Sequence, residues 1–224
     1  MKVAILLIFG LSSLINAEMV FKTKLVEITA KPDVTEITVE FPFEIMGSAA
    51  EIIEYEAPCT CLTARVEPLN PDRSTKLRWD IGENGRIFGR FKMGNFKGTV
   101  DKAIVLKMKG VDKPIQLVVR VTIPILFEIQ PSTLKWEIGE TPTEKTFKIK
   151  VNHDQPIKLI ENSGTSGNFP YEVKTIREGW EYEIKVKPSS TEKPGMGMIR
   201  LKTDCAIKRH ERHQVFVVVK KERK

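Results

Sequence analysis

Cys59-Thr60-Cys61 is the stretch of this chain whose residue types and spacing reach beyond packing. Two thiols one residue apart, directly after Pro58, have three chemical fates. They oxidise to each other, bind a soft metal as thiolates, or stay as small side chains packed in a turn. A bridge across one intervening residue closes a small ring of poor geometry and is easily reduced, a property of redox-active bridges. Two thiolates at this spacing can instead hold Cu(I), or share Zn(II) with further ligands. An activated thiolate needs positive charge nearby. The nearest basic residue in sequence is Arg65, while Glu54 and Glu56 precede the pair, so local charge favours the structural role.

A third thiol, Cys205, lies in Lys202-Thr-Asp-Cys-Ala206. A bridge from it to Cys59 or Cys61 would tie distant parts of the chain together. Near it stand Met196-Gly-Met198 and His210-Glu-Arg-His213, and thioether, thiol and imidazole all suit copper. Methionines at alternate strand positions read as core, however, and two histidines amid charged residues read as hairpin surface. No metal site or cofactor is predicted, and Cys59 and Cys61 are the residues that would hold a metal. No catalytic residues are predicted either. The sequence has no nucleophile elbow, no phosphate-binding glycine loop and no zinc-protease helix. The expectation is a protein that is not an enzyme.

The elements that must position these residues are strands. Ile37, Val39, Phe41, Phe43 and Ile45 alternate with polar or turn residues, as do Thr75, Leu77, Trp79 and Ile81. Ile87-Gly89-Phe91-Met93, Ile104-Leu106-Met108 and Ile115 to Ile123 continue the pattern. Turn residues at 46–48, 70–72, 82–85, 94–98 and 109–114 punctuate it. Beyond Pro124, a poor residue for a central strand, the alternation restarts at Leu134-Trp136-Ile138 and Phe147-Ile149-Val151. It continues through Phe169-Tyr171-Val173, Trp180 to Val186, Ile199-Leu201 and Val215-Val217-Val219, with polar loops expected at 161–168 and 188–195. Trp79, Trp136 and Trp180 fall on the apolar phase and read as core. No segment holds apolar residues at helical spacing for three turns. The prediction is all-β, two tandem immunoglobulin-like antiparallel sandwiches over 18–123 and 124–221, with a basic tail at 222–224. Leu77-Arg-Trp-Asp-Ile-Gly-Glu83 echoes Leu134-Lys-Trp-Glu-Ile-Gly-Glu140, which either a repeat or a shared strand-then-turn solution explains.

Met1-Lys2 followed by the apolar run Val3–Ile15 and then Asn16-Ala17 reads as a cleaved signal peptide over 1–17. The chain is therefore expected in the periplasm or outside the cell, and not to span a membrane. About two hundred residues remain, and the full chain is 41% apolar and 29% charged, enough to bury a core without a disulfide framework. The formal charge of +7 is spread along the chain, with runs at 208–213 and 220–224. Aromatic residues are not interleaved with these runs, so a nucleic-acid partner is not expected. A solvated basic face accounts for them, and a protein or anionic envelope polymer is the expected class of partner.

The first domain resembles a bacterial secreted family of unknown function, number fifteen-seventy-three in the domain-of-unknown-function series. Its members are marked by Phe-x-Phe-x-Asn-x-Gly, Cys-Gly-Cys-Thr, a Pro-Gly turn and a Gly-x-x-x-Lys strand start. Phe41, Phe43 and Gly47 match the first element, with Ile45 at the asparagine position. Cys59 and Cys61 match the second, with Thr60 for glycine and the threonine one position late at Thr63. Pro71-Asp72 stands for the turn, and Gly98-Thr-Val-Asp-Lys102 matches the last. The likeness covers residues 20–122, and the second domain looks like a degenerate copy. It implies an immunoglobulin-type sandwich and export. Together these readings give an exported, non-enzymatic binding or assembly module, with a thiol-redox or copper-handling protein as the alternative.

Overall fold

Residues of an extended chain point alternately to opposite faces, so an alternating sequence lets each strand bury one face and wet the other. The computed structural model describes residues 18–68, 75–165 and 167–221. The expected signal peptide, the 70–72 turn and the 222–224 tail lie outside the described residues. The chain divides into one unit of Met1–Ile28, Thr35–Gly94 and Thr99–Thr122, and a second of Thr29–Val34, Asn95–Gly98 and Ile123–Lys224.

The strands of the first unit are β1 (Glu18–Phe21), β2 (Leu25–Thr29), β3 (Glu36–Met46), β4 (Ala50–Glu56), β5 (Leu62–Pro68), β6 (Arg78–Trp79), β7 (Asn84–Lys92), β8 (Gly98–Met108) and β9 (Ile115–Ile123). One sheet has the order β1-β3-β7-β5, the other β2-β9-β8-β4-β6. Lettered along the chain as A, A′, B, C, D, E, F and G, these are A-B-E-D and A′-G-F-C, with β6 added beside C. This is the immunoglobulin-like order. Phe41, Ile45, Ile87, Phe91, Ile104, Leu106 and Leu117 are fully enclosed in the core. Burying each such side chain contributes about 1.5–3 kcal/mol. Trp79 meets Phe43 edge-on at 4.9 Å, and both press on Gly85.

The second unit adds β10 (Phe127–Gln130), β11 (Thr133–Glu137), β12 (Lys145–Val151), β13 (Leu159–Gly164), β14 (Tyr171–Arg177), β15 (Glu181–Val186), β16 (Gly195–Thr203) and β17 (Arg212–Lys220). Its sheets, β10-β12-β15-β14 and β11-β17-β16-β13, again read A-B-E-D and A′-G-F-C. The A′ strand β11 runs parallel to β17, and the other recorded pairs of this unit are antiparallel. Trp136, Phe147, Ile149, Ile184, Leu201 and Val217 fill the core between the two sheets. Tyr182 is enclosed there too. Its hydroxyl accepts from the Gly179 N–H at 2.8 Å and the Leu159 N–H at 3.2 Å.

The all-β, tandem immunoglobulin-like architecture expected from the sequence is what the strand orders show. Several local expectations are corrected. Over 75–81 only Arg78–Trp79 is a strand, and Leu77 and Ile81 are exposed, because the segment only touches the edge of its sheet. The loop expected at 161–168 is strand as far as Gly164. Polar Glu161, Asn162 and Ser163 suit an edge strand that is wet along its length. Trp180 is half-buried against the core, with the Arg177 guanidinium 5.4 Å from its ring centre.

Candidate functional site

The chain turns between β4 and β5 over 57–61, and there Cys59 and Cys61 are joined by a disulfide. The turn is tied down by its backbone. The Leu62 N–H donates to the Cys59 carbonyl at 3.3 Å, and the Lys92 N–H donates to the Cys61 carbonyl at 2.8 Å. Leu62 then buries its side chain in register with Phe91 on β7. Both cysteines are half-buried and Thr60 between them is exposed. With each sulfur bonded to the other, neither is a thiolate available to a metal, and neither pairs with Cys205. Cys205 is a free, half-buried thiol packed at the margin of the second core. The remaining motif residues sit on another strand: Gly98 opens β8 with φ of 68°, and Lys102 lies four residues further along it. The fold therefore separates the motif into a disulfide turn and a strand start.

His210 and His213 are buried, against the expectation of a hairpin surface. His210 lies in the single turn Lys208–His210, and His213 opens the inward phase that Val215, Val217 and Val219 continue. The His213 Nε2–H donates to the His210 carbonyl at 2.8 Å, which leaves Nδ1 to accept from Lys97 Nζ at 3.4 Å. That pattern is the neutral tautomer. Burial, with the Lys97 charge beside it, pushes the His213 pKa down to about 4. Burial likewise lowers the His210 pKa, helped by Arg209. The Lys97 ammonium is itself pushed down by burial and by Arg209. Arg209 donates to the carbonyls of Val34 at 2.9 Å and Phe96 at 3.0 Å. A ring so enclosed, packed 4.6 Å from Phe127, supports the fold.

Met196 and Met198 are not core. Ile199 and Leu201 take the inward phase of β16, so the methionines point outward, Met196 with 75% of its surface exposed. The phase of Ile199 and Leu201 was the sequence signal for this, as that of Val215 was for His213. Among the described residues no group of three or more His, Cys, Asp or Glu is placed to hold a metal ion. The carboxylates Glu40 and Glu67 share Arg86, at 3.0 and 3.3 Å, and Glu67 also meets Arg65 at 3.3 Å. Glu40, Arg86 and Glu67 pair across the neighbouring strands β3, β7 and β5, and Arg65 pairs with Glu67 along β5. No helix among the described residues is long and apolar enough to cross a membrane.

No family model matches the chain, and no curated protein matches it. Among solved structures it is similar to a protein of unknown function from Porphyromonas gingivalis W83, with 9% identity over 91% of this chain and 98% of that one, at a TM-score of 0.35. It is similar to domains 5–6 of the S-layer protein SbsC, with 14% identity over 93% and 100% of the two chains, at a TM-score of 0.28. A chimeric titin Z1Z2 tandem aligns at 6% identity over 92% and 100%, with a TM-score of 0.33. The immunoglobulin-like fold rests on the strand orders themselves.

Proposed function

We propose that the protein is an exported, non-enzymatic binding or assembly module of the cell envelope, made of two immunoglobulin-like domains over 18–123 and 124–221. The observation that carries this reading is the open edge of the second sandwich. β14 (Tyr171–Arg177) pairs with β15 on one side and ends its sheet on the other, with Lys174 to Arg177 all exposed. Such an edge offers backbone donors and acceptors to a strand of another protein, while its charged side chains restrain indiscriminate pairing. The resemblance of residues 20–122 to the secreted family of unknown function supports the same fold and address. The test is a pull-down of envelope extracts with the tagged mature chain, run beside a broad activity screen. A saturable partner without turnover is expected. Recovery of no partner, together with a catalytic turnover, overturns the proposal.

A further inference from the structure

The sheet β11-β17-β16-β13 has one face in the core and one in solvent, and the two are chemically unlike. Its solvent face carries an apolar centre formed by cross-strand partners: Met198 opposite Phe216, and Met196 opposite Val218. Phe216 is 37% exposed, and Met198 and Val218 are half-buried. Two residues along β16 from Met198, on the same face, stands Arg200, opposite Gln214 on β17 and Ser163 on β13. Next come Lys202 and Arg212, paired in register, with Glu161 beside Lys202. Arg200, Lys202, Arg212 and Glu161 line a depression of about 290 Å³. The Arg200 guanidinium has no hydrogen-bond or ion-pair partner among the described residues. The ion pairs of its neighbours are long, 3.9 Å for Lys202 to Glu161 and 3.9 Å for Arg212 to Glu211. At the opposite end of the apolar centre, Lys135 faces Val218, and Glu137 faces Lys220.

We propose that this face is a docking surface for a protein partner that presents carboxylates beside an apolar side chain, an inference that rests on reading the chain as a binding module. The apolar centre supplies burial, and methionine adapts its shape to what covers it. The depression supplies an unmatched guanidinium, whose planar fork takes a carboxylate through two parallel hydrogen bonds. Three cations, Arg200, Lys202 and Arg212, against the two carboxylates Glu161 and Glu211 leave a positive excess that selects a negative complement. A second copy of this chain fits poorly. Both ends of the face carry more cations than carboxylates, so a two-fold pairing sets like charges together whichever way it is turned. An anionic bilayer fits poorly as well. Met198, Phe216 and Val218 lie on strand interiors, flanked by longer arginines and lysines, whereas insertion needs several apolar groups that project past their polar neighbours.

The probe is a short soluble peptide in which glutamate alternates with leucine and phenylalanine, titrated into the isotope-labelled mature chain. Amide shifts are expected at Met196–Lys202 and Arg212–Lys220. Added salt should weaken the affinity, and a peptide with lysine for glutamate should not bind. Arg200→Glu and Met196→Glu, both at exposed positions, should each lower affinity about tenfold, the scale of one lost interface contact. Lys150→Glu, on the other sheet, should leave it unchanged. Shifts elsewhere, equal binding of the lysine peptide, or affinity indifferent to Arg200→Glu and Met196→Glu overturns the inference. So does flotation with phosphatidylcholine–phosphatidylglycerol vesicles that depends on the same two residues. If both variants still retain the envelope partner of the wild type, this face is wrong while the binding-module reading stands. If the wild type retains no partner and turns over a substrate, the reading itself has failed.

Discussion

Lys76 donates from Nζ to both carboxylate oxygens of Glu83, at 2.6 and 2.7 Å, while its ammonium lies 5.0 Å from the centre of the Trp79 ring. The second unit repeats the relationship with other residues. Lys145 donates to Glu140 at 2.9 Å and lies 5.1 Å from the ring centre of Trp136. In both, the carboxylate also accepts the N–H of the residue after the tryptophan, from Asp80 at 2.7 Å and Glu137 at 2.8 Å. A glycine with positive φ closes each turn, Gly82 at 77° and Gly139 at 84°. The shared sequence Trp-acid-Ile-Gly-Glu thus encodes one turn, in which the glutamate joins the cation over the ring to the open end of the backbone.

This turn should be sensitive to acid. The Lys76 ammonium first, and then the Asp80 N–H, hold the Glu83 carboxyl below its ordinary value of 4.5. A carboxyl depressed in the folded state stabilises the fold above its unfolded pKa and loses that contribution as pH falls through the folded one. Glu83→Gln should lower the melting midpoint near neutral pH, with the gap to wild type closing as the solution is acidified below pH 4.5. Melting curves of the two proteins across that range test it, and a gap independent of pH refutes it.

His213 should set a second, higher acid step. Its pKa is about 4 in the fold against an ordinary 6.5, so the unfolded chain binds the proton more readily between those values. Stability from the neutral ring is present above 6.5 and is lost as pH falls from 6.5 towards 4, by an amount on the order of 2–3 kcal/mol. Lys97 and His210 are the charged or titratable neighbours that oppose the added proton, and Arg209 lowers the pKa of each of those two in turn. Denaturant midpoints measured at steps across this range should fall for wild type and flatten in His213→Gln.

Tyr182→Phe should destabilise the second unit by about 1–3 kcal/mol, since the Gly179 and Leu159 N–H groups lose their acceptor in a buried place. Hydrogen exchange should speed most at those two amides. Equal protection in the variant refutes the account.

Gly85→Ala should be costly although alanine is small. The added Cβ would overlap Trp79 Cη2 and lie 2.6 Å from Phe43 Cζ. Overpacking of this kind costs about 1–3 kcal/mol. A Gly85→Ala protein with an unchanged urea midpoint shows that the rings yield freely.

Removing the Cys59–Cys61 bridge should cost little. A bridge with a sequence separation of 2 restrains few residues of the unfolded chain, worth about 1–2 kcal/mol by loop entropy. The double change to serine should therefore melt as a folded protein at a modestly lower midpoint. Intact mass before and after alkylation checks that the pair is bonded and Cys205 is free.

The two strand series and their all-β outcome were legible in the sequence because alternation is a local property of extended chain, read without knowing any neighbour. The phase of Met196 and Met198, and of His213, was legible in principle as well. It follows from Ile199 and Leu201 on one strand and Val215 on the other, and it outweighs the residue types that made methionine look like core and histidine like surface. Tertiary structure alone decided the rest. The oxidation partner of Cys59 depends on where the turn after β4 places three sulfurs, which spacing does not specify. The depression at Arg200 exists because β13, β16 and β17 bring Glu161, Arg200 and Arg212 to one face from separate strands. The lysine over each tryptophan comes from three residues before Trp79 but from the start of β12, a strand of the opposite sheet, for Trp136. A motif sets the shape of a turn, while the partner that completes it is chosen by whatever strand the fold lays alongside.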